Sequence, residues 1–205
     1  MKRRGIEFGF AAGWLALAAM PLSVADPVAK IQSMLARAKV LCGRFDQTKQ
    51  LVGLKKPVAS NGRFCIVADM GVLWRSLQPF ASTLRLTRDE IVQMQGGRVA
   101  MRLDAKQEPA VRMINGILFA ALAGDLDKLQ ALFEIDGGIH NNRWSVTLKA
   151  REPALAKAIG AIALEGGVYV QSVNISEAAG DRTSIVFSSI QIGESAMSAD
   201  EAALF

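Results

Sequence analysis

The chain has 205 residues, 51% of them hydrophobic, which suits one domain with a sizeable core. Its formal net charge of +5 comes from Lys and Arg interspersed with Asp and Glu, not from the basic stripe of a nucleic-acid binder. One histidine and two cysteines leave little for a metal site, and the chain has no phosphate loop, nucleophile elbow or zinc-ligand spacing. It therefore reads as a non-enzyme that needs no cofactor.

Lys2, Arg3 and Arg4 precede a short apolar run from Ala11 to Leu22, and Ser23-Val24-Ala25 follows with small residues. This is the pattern of a secretory signal cleaved after Ala25, since a membrane span needs about 20 apolar residues. Residues 1–25 are thus set apart from the mature chain. Their loss removes Lys2, Arg3, Arg4 and Glu7 and takes the charge from +5 to about +3. That balance suits either a solvated surface or approach to anionic membranes.

Asp26-Pro27 opens a helix with proline at the first helical position. Val28, Ile31, Leu35, Ala38 and Leu41 repeat at helical spacing, so this helix is expected to lie against a sheet. Strands are expected near 44–51, 62–68, 71–77, 82–87, 90–95 and 98–103. Phe64 and Ile66 alternate with Arg63, Cys65 and Val67, and glycines mark the turns, as in an antiparallel meander. From Pro109 the period changes. Val111, Ile114, Leu118 and Ala121 form a helical stripe that Met113, Ile117 and Phe119 widen, which requires cover on both sides. A short helix, Leu126 to Leu132, follows Gly124-Asp125. Strands are expected again at 134–139, 143–149, 159–165, 168–176 and 183–191, with a helical turn from Pro153 to Lys157. His140 falls in an expected hairpin turn, Gly137 to Asn142, a place for a turn residue more than for a base. The domain is bounded at 26–192, and residues 193–205 lack a period and are expected to fray.

The order Phe45-x-Gln47-x-Lys49, Ser60-x-Gly62-x-Phe64, Gly71-x-Leu73-Trp74 and Pro79-Phe80 resembles the first strands of the outer-membrane lipoprotein carrier (LolA-like) family. Gly116 to Leu122, Gly124-Asp125 and Leu129 to Phe133 resemble its helical insertion. Arg143 to Leu148, Gly167 to Ile175, Gly180 to Thr183 and Ile185 to Phe187 resemble its closing strands, so the likeness spans roughly residues 28 to 190. The resemblance implies an α+β fold: a strongly curved antiparallel sheet, or half-open β-barrel, whose apolar hollow is covered by helices. It further implies a periplasmic, monomeric carrier of lipid or lipoprotein acyl chains, loaded by an inner-membrane donor and unloaded by an outer-membrane acceptor. The family places an arginine just before the turn into the tryptophan strand. Here that stretch is Val67-Ala68-Asp69-Met70, which points to a branch with another lipid or acylated product as cargo.

The lining such a hollow needs is present. Trp74, Leu84, Leu86, Val99, Met101, Trp144, Val146 and Leu148 on strands, with Met113, Ile117 and Leu118 from the covering helix, offer flexible and aromatic surface. For any one of them ordinary core packing is the commoner role, in which case the same fold is an interaction module with a filled interior; a small-molecule enzyme is the third reading. Cys42 and Cys65 are either a disulfide, worth roughly 3 kcal/mol through loop closure, or two buried thiols.

Overall fold

The computed structural model describes residues 26–68, 70–104, 107 and 109–205. Within it, the side chains at positions 109–112, 114, 115, 118 and 158 stand outside the description, as do the expected signal segment and Asp69. Among the described residues, eleven antiparallel strands form a single curved, unclosed sheet. In chain order they are β1 (Val40–Gln50), β2 (Val58–Val67), β3 (Gly71–Gln78), β4 (Ser82–Thr87), β5 (Glu90–Gln95), β6 (Arg98–Asp104), β7 (Phe133–His140), β8 (Arg143–Ala150), β9 (Ala161–Gly166), β10 (Val170–Ser176) and β11 (Arg182–Ile192). Spatially they run β6-β5-β4-β3-β2-β1-β11-β10-β9-β8-β7. The first and last strands therefore meet in the middle, Phe45 opposite Phe187, and each half of the chain is a meander spreading outward.

Alternation decides which side chains are covered. On one face Phe45, Phe64, Val72, Leu86, Trp144, Val146, Leu148 and Leu164 are buried beneath the helices α1 (Pro27–Met34), α2 (Pro109–Ala123) and α3 (Leu126–Gln130). Fully burying a side chain of this size contributes about 1.5–3 kcal/mol, so this layer is the principal core. Asp26 caps α1, its carboxylate accepting from the Val28 N–H at 2.9 Å, and Val28 and Ile31 face inward. Asp125 caps α3 in the same way through the Lys128 N–H. A fourth helix, α4 (Pro153–Ile159), joins β8 to β9.

The first helix is shorter than its apolar period suggests. Leu35 already has extended backbone, and the Ala36 N–H donates to the Val168 carbonyl at 2.9 Å. Val40 and Leu41 belong to β1, where pairing with both β2 and β11 satisfies more backbone groups than another helical turn would. His140 ends β7, and the turn itself is Asn141-Asn142, both at positive φ, the two-residue form that matches strand twist. Gly137 lies within the strand, where any Cβ would collide with the Ser145 carbonyl oxygen of β8.

The segment after Gly193, expected from its sequence to fray, packs across the opposite face of the sheet. A 3-10 turn (Glu194–Ala196) and a short helix, α5 (Ala199–Ala202), lie over Val40, Cys42, Cys65, Val67 and Leu73. Ser198 and Glu201 form a reciprocal capping box, a Ser-x-x-Glu signal that the sequence carries in plain sight. Cys42 and Cys65 sit directly opposite one another on β1 and β2 and are joined in a disulfide beneath this strap.

Candidate functional site: a half-open apolar row

Two cross-strand rows run from the middle of the sheet to its β6 edge on the helix-covered face. The first is Ile66–Val72–Leu86–Ile91–Leu103. It is sealed, with its first four members 8% exposed or less. The second, nearer the β1–β2, β3–β4 and β5–β6 hairpins, is Phe64–Trp74–Leu84–Gln93–Met101. It opens progressively: Phe64 is 2% exposed, Trp74, Leu84 and Gln93 are half-buried, and Met101 is 38% exposed. Met113 of α2 is exposed as well.

The inner end of that row is a ring cluster. Trp74 stacks on Phe45 with centroids 3.8 Å apart, and Phe187 meets Trp74 edge-on at 6.1 Å. Such pairs favour offset or perpendicular geometry and hold the indole in place. Gly62 makes room for the stack. A Cβ there would strike the Phe45 ring and the Arg75 carbonyl oxygen, where β2 and β3 slip in register. The glycine of the Ser-x-Gly-x-Phe pattern is thus a close-approach residue.

The eleven residues expected to line a hollow separate into distinct groups. Leu86, Ile117, Trp144, Val146 and Leu148 are packed core, each 3% exposed or less. Trp144 is further fixed by its indole N–H, which donates to the Gly167 carbonyl at 2.7 Å, with the ring passing over Gly166. Trp74 and Leu84 lie at the boundary of that core. Met101 and Met113 are exposed at its rim, and Val99, 54% exposed, lies beyond a bulge between β5 and β6. The Leu118 side chain stands outside the described residues.

At the other end of the strands a cleft of about 400 Å³ lies between α1 and the α2–α3 corner, with Leu41 and Ile66 on its floor and Arg37, Asp127 and Lys128 at its rim. Sequence reasoning missed it, because its walls come from three separate stretches of chain. Arg63 and Arg75 stand beside the position of the family's arginine but lie on the strap-covered face, bound to Glu201. Among the described residues no group of three or more His, Cys, Asp or Glu is placed to hold a metal, and no helix is long and apolar enough to cross a membrane.

A helix-roofed, unclosed antiparallel sheet whose covered face is apolar and left ajar along one row defines a carrier-type or binding module. The chain belongs to the family described as outer membrane lipoprotein carrier protein LolA-like, whose pattern matches residues 18–203. No curated protein matches it. Among solved structures it is similar to a LolA superfamily protein from Nitrosomonas europaea, with a TM-score of 0.42, 6% identity, and coverage of 82% of this chain and 92% of that one. It is also similar to a DUF1329 family protein from Desulfovibrio piger, with a TM-score of 0.46, 7% identity, and coverage of 82% and 91%. A third is the MucA/MucB complex of Pseudomonas aeruginosa, with a TM-score of 0.46, 12% identity, and coverage of 85% of this chain and 62% of that one.

Proposed function

We propose that the protein is a periplasmic carrier that shelters an acyl chain along the Phe64–Trp74–Leu84–Gln93–Met101 row, with α2 as the neighbouring wall. The observation that carries this reading is the contrast between two adjacent rows of the same face, one sealed and one graded from buried ring to exposed methionine. Each methylene removed from water contributes about 0.8 kcal/mol, so a chain of about sixteen carbons represents on the order of 10 kcal/mol. A flexible methionine rim and a rigid indole floor offset much of that while leaving the cargo able to depart. Direction would come from an inner-membrane donor and an outer-membrane acceptor of different affinity. The Cys42–Cys65 disulfide fits an oxidising compartment.

Quenching of tryptophan emission by a brominated fatty acid tests the proposal. Of the two tryptophans after the signal segment, Trp74 is part of the row and Trp144 is 1% exposed. Quenching that disappears in Trp74→Phe supports the reading, and no quenching in the intact protein sinks it. The packing of Trp144, Val146 and Leu148 favours a second reading, an interaction module with a filled interior. That module would show no quenching and no lipid in organic extracts of the purified protein.

A further inference from the structure

The half-open row ends beside three hairpin tips, all at the same end of the sheet because β1 to β6 form one meander. Each tip displays apolar side chains to solvent. The β1–β2 tip carries Val52 at 68% and Leu54 at 49% exposure. The β3–β4 tip carries Phe80 at 74%, and Val99 follows the β5–β6 tip at 54%. The first of these is not a collapsed loop. The Val52 N–H donates to the Asp181 carboxylate at 2.8 Å, and the Gln50 amide donates to the Leu54 carbonyl at 2.8 Å, so the first tip is braced with its side chains outward.

Cations flank them. Lys55 and Lys56 follow Leu54, and Arg98 precedes Val99, all exposed. Two of the acidic groups at this end are engaged, Asp181 by the Val52 N–H and Glu177 by Lys49 at 3.4 Å, while Asp46 is exposed further along β1. Exposed apolar side chains flanked by lysine and arginine are the chemistry of an interfacial anchor on an anionic bilayer, the apolar groups entering the acyl boundary and the cations meeting the headgroups.

We infer that the β1–β2, β3–β4 and β5–β6 tips dock the protein on an anionic lipid surface, with the Trp74–Met101 row facing the bilayer. The inference builds on the acyl-carrier reading for its purpose, while its geometry stands independently. Docked this way, an acyl chain passes between membrane and row without crossing water.

The test is co-sedimentation of the full mature chain with vesicles of phosphatidylethanolamine and phosphatidylglycerol, with phosphatidylcholine vesicles as the neutral control. Binding to the anionic vesicles that weakens with salt is expected. Lys55→Gln with Lys56→Gln should lower it by about fivefold per lysine. Val52→Ser, Leu54→Ser and Phe80→Ser together should lower it by about tenfold or more. All these positions are exposed, and circular dichroism checks that the variants fold. Intact protein that ignores anionic vesicles, or tip variants that bind as well as the original, overturns the inference; tips that serve a protein partner give the first of these results. Brominated fatty acid presented without vesicles separates the two proposals. Quenching without vesicle binding removes only the docking surface, and vesicle binding without quenching removes only the carrier.

Discussion

The Arg63 Nε donates to Glu201 Oε1 at 2.7 Å, joining β2 to a helix 138 residues later in the chain. Glu201 is 1% exposed, and Arg63 also donates to the Ala196 carbonyl. One guanidinium therefore holds both halves of the C-terminal strap over the disulfide. Burial pushes the Glu201 carboxyl up, but hydrogen bonds from Arg63 and from the Ser198 backbone, with the Arg63 charge, bring it below the usual carboxylate value. A carboxylate whose value falls on folding adds stability above its unfolded value, and that contribution is lost as pH falls through the lowered one.

Glu201→Gln is accordingly expected to lower stability near neutral pH by about 1–3 kcal/mol. The gap to the original protein should close as pH drops below about 4.5, the ordinary value. Urea midpoints measured from pH 7 down to pH 3 check both the size and the sign; a gap that widens with acid contradicts the assignment.

Reducing the disulfide, or replacing both partners in Cys42→Ala with Cys65→Ala, removes a closed loop beneath the strap. A loss of roughly 3 kcal/mol is expected. Thermal melts with and without reductant measure it, and the double variant should be insensitive to reductant.

Trp144→Asp places a charge in a sealed layer where the indole is 1% exposed. Unfolding is expected, since an unpaired buried charge is very costly. Trp144→Phe keeps an aromatic ring but loses the bond to Gly167 and the atoms over Gly166, and should cost about 1–3 kcal/mol without unfolding the protein. Near-ultraviolet dichroism with urea unfolding separates these outcomes.

Met101→Asp tests the open row from its rim. Met101 is 38% exposed, so the fold should persist while fatty-acid quenching of Trp74 weakens severalfold, about 1–2 kcal/mol in binding. Leu86→Asp in the sealed row should instead unfold the protein. Equal effects from the two variants would mean that the rows do not differ.

Gly62→Ala tests the aromatic stack. Its Cβ would meet the Arg75 carbonyl oxygen and the Phe45 ring, and overpacking of this kind costs about 1–3 kcal/mol. Loss of Trp74 near-ultraviolet dichroism together with a lower urea midpoint is the expected signature.

Strand positions were legible because alternation and turn residues are local signals. Phe64, Ile66 and Trp74 declare their face through a period of two, and the ordered Phe-Gln-Lys, Gly-Phe and Leu-Trp pieces declare the family. The end of α1 was not legible, since the apolar period continues to Leu41 and only pairing with β2 and β11 takes Val40 and Leu41 into a strand. The strap was misread for the opposite reason. Its apolar residues follow no helix or strand period, and its order depends on Arg63, far away in sequence.

What the sequence determined alone is the set of half-apolar strands and the helical stripe between them, which side-chain periodicity dictates without reference to distant residues. What only the tertiary structure decided is which apolar residues face a packed core and which face an opening. Trp144 and Met101 both look like lining along the chain, and one is sealed and the other exposed. Burial depends on whatever helix or strand covers a residue from across the fold, and no local period records that partner.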